Sequence, residues 1–317
     1  MPRPIILGVV GDSAAGKTTL TRGLVRVLGE EHVTHVCTDD YHRYDRKQRA
    51  GRSITPLHPD CNYVDVMAQH LGLLHAGEPI LKPVYRHGDG TFGPPVYIQP
   101  SRFTVVEGLL GYHTEAMREV YHVRVFLAPP ENLRRAWKVQ RDCSRRGYTT
   151  DEVLAELDRR EADSAEFIRT QERYADIVVR FLPHEGSRDP EHLDAELVLR
   201  SSLQHPDLSG LVNGDAGIVL SEEGDGEVLL RVSGALEPAT AAGIEEAVWE
   251  RMQFANHLRT ERLGEFTIGT DLHRSESLAV IQVLILYHLL TARASLALDG
   301  DGTRSAVSVP APEAIVT

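Results

Sequence analysis

Residues 11–18 read Gly-Asp-Ser-Ala-Ala-Gly-Lys-Thr, the pattern G-x-x-x-x-G-K-[ST], directly after the apolar run Ile5 to Val10. An apolar strand that enters a glycine loop and leaves it as a helix is a cradle for polyphosphate. Backbone N–H groups and a helix N-terminus converge at the turn, so anions collect there. Gly11 and Gly16 supply backbone freedom and a close approach that side chains would block. In this reading Gly11, Asp12, Ser13, Ala14, Ala15, Gly16, Lys17, Thr18 and Thr19 surround a nucleotide. Lys17 bridges its β- and γ-phosphates, and Thr18 offers a hydroxyl to Mg²⁺.

Such a loop needs a sheet to hold it, and the rest of the first half supplies one. Val33 to Thr38 is a β-favouring run ending at Asp39-Asp40-Tyr41-His42, and Phe103 to Val106 is a second ending at Glu107-Gly108. Both therefore deliver carboxylates to the carboxyl edge of an open sheet, where ligands bind. Between them, Arg43 to Pro59 reads as a loop, Val66 to Leu74 as a helix capped by Asn62 or Asp65, and Lys82 to Pro100 as a turn-rich hairpin. Tyr121 to Leu127 and Ile177 to Leu182 are further strands. They bracket a helix after Pro129 and another from Thr149 to about Arg173. Alternation of this kind predicts a largely parallel α/β sheet flanked by helices, the phosphate-loop NTPase fold.

After Pro183 the composition turns polar and turn-rich, so the 317 residues divide into a kinase-sized unit over 1–205 and a small α+β extension over 206–317. In the second part Ile218 to Leu220 and Val228 to Val232 flank Gly224-Asp225-Gly226 as a hairpin. Ile244, Val248, Met252 and Ala255 mark an amphipathic helix, and the tail after Asp299 reads as loose.

A net charge of −12 argues against nucleic acid or an anionic membrane as the main partner. Leu278 to Leu290 is too short an apolar run to span a bilayer and carries Gln282 and His288, so it reads as a buried helix. Three cysteines, Cys37, Cys61 and Cys143, lack metal spacing or an even count. With no secretory segment at Met1-Pro2-Arg3-Pro4, a reduced, cytoplasmic setting is expected.

Phosphoryl transfer needs a cradle, a metal, a base and positive charge over the moving group. Asp39 can take the proton of an acceptor hydroxyl, and Glu107 can hold Mg²⁺ with Thr18. Arg134, Arg135, Lys138, Arg141, Arg145 and Arg146 gather in one stretch of an acidic chain. Such a run is often a solvated helix face, yet here it also suits a lid that closes over ATP. Arg159-Arg160 has a plainer alternative in local pairing with Glu156 or Asp163. A nucleotide-dependent switch is the rival class, but the Asn-Lys-x-Asp tetrad of GTP readers does not occur.

Taken together, Gly11 to Thr18, Asp39-Asp40-Tyr41-His42-Arg43-Tyr44-Asp45-Arg46, Val106-Glu107-Gly108-Leu109 and Trp137-Lys138-Val139-Gln140-Arg141-Asp142 resemble the phosphoribulokinase and uridine kinase superfamily. The match extends through Arg146-Gly147-Tyr148, Arg159-Arg160 and Ala175-Asp176-Ile177, and is nearer to the plant and cyanobacterial phosphoribulokinase type. It implies a homodimer that uses ATP and Mg²⁺ to convert a pentose phosphate, ribulose 5-phosphate, into ribulose 1,5-bisphosphate. Asp39 would be the base, with Lys17 and Asp142 also catalytic, and Glu107 would serve the metal. His42, Arg46, Lys138, Arg141, Arg146, Arg159 and Arg160 would surround the sugar phosphate or the reacting phosphates. A uridine kinase-like enzyme or a non-catalytic nucleotide-binding relative remain the alternatives. Leu110-Gly111 departs from the His-Pro usual in that position, and Ala15 replaces a cysteine that plant relatives pair with the counterpart of Cys37. No thiol switch of the plant kind is therefore expected.

Overall fold

The computed structural model describes residues 3–185, 192–211, 217–252, 262–268 and 271–299. The chain enters as β1 (Ile5–Gly11), turns through the glycine loop into α1 (Lys17–Leu28), and returns as β2 (Val33–Cys37). A short α2 (Arg46–Ala50) and α3 (Val64–His75) precede the hairpin β3 (Ile80–Arg86) and β4 (Thr91–Ile98). Then follow β5 (Phe103–Gly108), α4 (Glu115–Glu119), β6 (Val123–Leu127), α5 (Glu131–Arg146), α6 (Thr150–Asp163) and β7 (Ile177–Pro183). The remainder supplies β8 (Leu193–Leu199), β9 (Ile218–Glu222), β10 (Val228–Val232), α7 (Pro238–Glu250), β11 (Glu265–Ile268), β12 (Asp271–Arg274) and α8 (Glu276–Asp299).

Eight strands form one sheet in the order β2-β5-β1-β6-β7-β8-β10-β9. The first five are mutually parallel, and β8, β10 and β9 continue the sheet antiparallel beyond β7. β1 is buried along its whole length, as a parallel strand covered on both faces must be. Its alternate residues serve two cores: Ile5, Leu7 and Val9 join one apolar cluster, Ile6 and Val10 the other. The first cluster also takes Leu20 and Leu24 of α1 and the apolar body of α8, while the second takes Met67 and Leu71 of α3. The 278–290 run, expected to be too short to span a bilayer, belongs to a longer apolar helix, α8, which among the described residues contains the only stretch long and apolar enough to cross a membrane; it is packed inside the first cluster, as expected for a buried helix.

The α/β sheet, the 80–98 hairpin and the β9–β10 hairpin stand where the sequence pattern puts them. Three local expectations change. α3 is capped from Tyr63 without a side-chain bond, because Asn62 turns back to His42 instead. The helix begun at Thr149 ends at Asp163, where a π-helical turn, Ser164–Ile168, and a 3₁₀ segment, Arg169–Tyr174, replace the expected continuation to Arg173. Polar Asp194 and Glu196 hid β8, which pairs β7 to β10. Ala255 and the tail after Asp299 lie outside the described residues.

Candidate active site

The glycine loop sits at the carboxyl end of β1, between neighbours β5 and β6. A Cβ on Gly11 would stand 2.6 Å from the Leu127 carbonyl oxygen of β6, so only glycine lets the loop leave there. Gly16 adopts φ 95° as it caps α1, and Ala14 is held at φ 67°, a conformation that L side chains rarely take. Lys17 folds over the loop and donates to the carbonyl oxygens of Gly11 and Asp12, both at 2.8 Å. An ammonium has three donors, so one more remains for an anion at the head of α1. Asp12 itself is buried and faces outward from the cradle: its carboxylate lies 3.5 Å from Arg134 and accepts from the Ser13 N–H and the Ser164 hydroxyl. Arg134 also donates to the Ser13 carbonyl at 2.9 Å and pairs with Glu131, tying α5 to the loop.

Two acidic residues arrive at this edge from neighbouring strands. Glu107, at 5% exposure, accepts from Thr18 at 3.1 Å and Thr21 at 2.9 Å, and meets His35 at 3.3 Å. Burial works to raise its carboxyl pKa, but His35, Lys17 and Thr21 outweigh this and hold it below the usual range. It is therefore an anion beside the Thr18 hydroxyl, a hard oxygen pair of the kind that suits Mg²⁺. Among the described residues no group of three or more His, Cys, Asp or Glu could hold a metal alone.

Asp39 is the second residue of the short turn Thr38–Tyr41 after β2. Its Oδ1 and the neighbouring Thr38 Oγ1 are buried without a hydrogen-bond partner. Orphaned polar atoms of this kind are rare in a folded interior, and these two leave unmet hydrogen-bonding capacity at the carboxyl edge of the sheet. Gly108 makes the arrangement possible, since a Cβ there would lie 1.8 Å from Thr38 Oγ1 and 3.1 Å from Asp39 Oδ1. Asp40, by contrast, is fully engaged by Lys82 and the Tyr85 N–H, which fasten the β3–β4 hairpin to the turn.

His42 is buried, and its pKa falls from 6.5 to about 4, chiefly through desolvation, so the ring is neutral at pH 7. Asn62 gives both amide hydrogens to the carbonyls of Pro56 and His58, leaving its oxygen to accept from His42 Nδ1 at 2.7 Å. The Nε2 lone pair of His42 is then an acceptor, suited to a hydroxyl more than to a phosphate. Arg46 lies on α2 with its guanidinium on the carbonyls of His87 and Gly88 in the hairpin turn. His87, not anticipated from sequence, feels Asp39, Arg146 and Arg141, although burial is what chiefly lowers its pKa.

On α5, Lys138 and Asp142 are both nearly buried and joined at 2.7 Å, one helical turn apart. Arg141 bonds Asp142 at 2.9 Å and reaches Ser13 Oγ at 3.5 Å; Arg146 lies 3.4 Å from the same carboxylate. Burial alone would raise Asp142, but Arg141 and Lys138 hold it at about 2. Burial and the cations Arg141 and Arg160 bring Lys138 down to about 8. The basic stretch is thus divided: Arg134 and Arg141 reach Ser13 of the phosphate loop, Lys138 is held by Asp142, and Arg135 pairs outward with Asp158. Arg159 and Arg160 both bind Glu156 of their own helix. The side chain of Arg145 lies outside the described set. Thr21, His35 and Ser164 join the site unannounced, since each meets its partner across a long stretch of sequence.

The Phosphoribulokinase / Uridine kinase family profile matches residues 6–186, more than half of the chain and all of this site. The chain belongs to that family. Within the phosphoribulokinase/uridine kinase family it is 38% identical to the phosphoribulokinase of Synechocystis sp. over 191 residues, which is 60% of this chain and 58% of that protein. Identity to the chloroplastic phosphoribulokinase of Triticum aestivum is 33%, covering 57% of this chain and 49% of that one. A uridine kinase of Deinococcus deserti is 30% identical, covering 59% of this chain and 91% of that one. The chain thus spans about half the length of the phosphoribulokinases it matches. Phosphoribulokinase from Rhodobacter spheroides superposes with a TM-score of 0.57 at 18% identity, over 79% of this chain and 98% of that one, and so shares the family fold.

Proposed function

We propose that the chain is a kinase that transfers the γ-phosphoryl group of ATP to a hydroxyl of ribulose 5-phosphate, giving ribulose 1,5-bisphosphate and ADP. The observation that carries the reading is the unpartnered, buried Asp39 Oδ1 beside Gly108, at the end of β2, which β5 alone separates from β1 and the phosphate loop that leads to Lys17. Lys17 and the amides at the head of α1 would bind the β- and γ-phosphates, and Thr18 and Glu107 would hold Mg²⁺, which screens phosphate charge when bound. The acceptor oxygen attacks phosphorus in line, the bond to the ADP oxygen breaks, and Asp39 takes the hydroxyl proton. Lys138 and Arg141 would neutralise charge on the moving group, with Asp142 keeping the ammonium in place. His42 would accept from a sugar hydroxyl, and Arg46, Arg146, Arg159 and Arg160 would form the rim for the acceptor phosphate. The protein would act as a homodimer, which its mass in solution would test, and in the cytoplasm.

Near-complete coverage of a uridine kinase keeps a nucleoside acceptor as the second reading. ADP release measured against a panel of pentose phosphates and nucleosides separates the two. Turnover with ribulose 5-phosphate alone supports the first reading, and turnover with uridine replaces it.

A further inference from the structure

The end of α6, the π-helical turn and the 3₁₀ segment after it together hold three loops of the site. Asp163 Oδ2 accepts from the Thr55 N–H at 3.1 Å and from the Thr55 hydroxyl at 2.6 Å, so it holds the loop between α2 and α3. The next residue, Ser164, donates to Asp12 of the phosphate loop. Ile168, fully buried, packs with Leu57, Leu109 and Leu110. Gln171 accepts from the Tyr112 N–H at 2.8 Å and donates to the Leu109 carbonyl at 2.7 Å, which fixes the loop that follows Glu107-Gly108. π-turns insert a residue into the helical register and gather at functional sites. Here the turn begins at Ser164, so Asp163 at the end of α6 and Ser164 at the start of the turn hold different loops from the junction.

We infer that Asp163 and Ser164 are positioning residues: together they fix the phosphate loop relative to the Thr55 loop, and so set how an acceptor hydroxyl meets the γ-phosphate. The inference rests on the kinase reading and extends it to residues that touch neither substrate. Both hydrogen bonds to Thr55 end on a single carboxylate oxygen, so alanine at 163 releases the loop at one stroke. A misplacement of about 1 Å between reactants lowers a rate by roughly 10²-fold.

The test compares Asp163→Ala, Asp163→Asn and Ser164→Ala in the full chain, reading kcat, acceptor KM, ATP affinity and amide exchange at Thr55. In Asp163→Ala we expect kcat to fall by roughly 10²-fold while the ATP dissociation constant stays within about two-fold, with faster exchange at Thr55. Asp163→Asn keeps an oxygen able to accept both bonds and should bring kcat back to within about ten-fold of the parent. Ser164→Ala should instead weaken ATP binding and leave the Thr55 amide protected. Unchanged kcat in Asp163→Ala, a parallel loss of ATP binding, or no rescue by asparagine would overturn the inference. Failure of the unaltered chain to phosphorylate any acceptor would overturn the kinase reading itself, a separate outcome.

Discussion

Asp39 and Glu107 are carboxylates at the ends of adjacent strands, yet one is saturated with partners and the other has an oxygen with none. That difference predicts different failures. Asp39→Asn should bind ATP normally and lose roughly 10²-fold or more in kcat, checked by turnover beside nucleotide titration. Gly108→Ala should do similar harm without touching a functional group, since its Cβ must displace Thr38 and Asp39. Under the proposed function, Lys138 should set the alkaline limit. Its pKa of about 8 means that kcat/KM should fall as pH rises through that value and the ammonium loses its proton. Removing the anion in Asp142→Asn disfavours the ammonium further, so the limb should move to lower pH; a limb that stays put would release Lys138 from this role. Lys17 was legible from the G-x-x-x-x-G-K-[ST] pattern, and Asp39 and Glu107 because each follows a β-favouring run at a strand end. Asp163 and Ser164 were not, because their partners lie 108 and 152 residues away. Nothing local distinguishes them from surface residues of a helix.

At the level of elements, the basic run on α5 looked from sequence like one lid face and proves to be divided between the loop, Asp142 and outward pairs. α5 ends at Gly147 in a left-handed cap with φ 72°, and α6 opens on a reciprocal capping box between Thr149 and Glu152. Caps of this kind are written in local sequence, which is why both helices were placed correctly at that junction. Thr149→Ala should lower stability by about 1 kcal/mol in denaturant unfolding and leave ATP affinity alone. The far end of α6 was misjudged for a physical reason: helical spacing continues past Asp163, and a π-turn leaves no composition signature.

Across the whole molecule, α1 carries the phosphate loop at one end and is braced along its flank by α8. Gln282 of α8 lies so close to Gly23 of α1 that a Cβ there would stand 1.9 Å from its amide nitrogen, and its oxygen accepts from the Gly264 N–H at 2.8 Å. Gly23→Ala should therefore destabilise the fold by about 1–3 kcal/mol, measured by unfolding, through overpacking alone. α8 also meets the loop after β8 through His288 and His205, whose ring nitrogens are 3.0 Å apart. Burial depresses His288 from 6.5 to about 3, and His42 on the other side of the sheet behaves alike. Between those values the unfolded chain binds the protons that the folded chain refuses, so stability should fall as pH drops from about 6.5 towards 4. Replacing His288 with Leu should flatten that decline in a Tm series.

The outward edge of β7 is not an edge at all, because β8 hydrogen-bonds along it from Ile177 to Pro183. A chain stopped at residue 186, where the family match ends, would expose that row of backbone donors and acceptors together with the bare flank of α1. Open strand edges and uncovered apolar helices recruit copies of themselves. Expressed alone, the segment that matches the family should accumulate as aggregate, however complete its list of candidate catalytic residues.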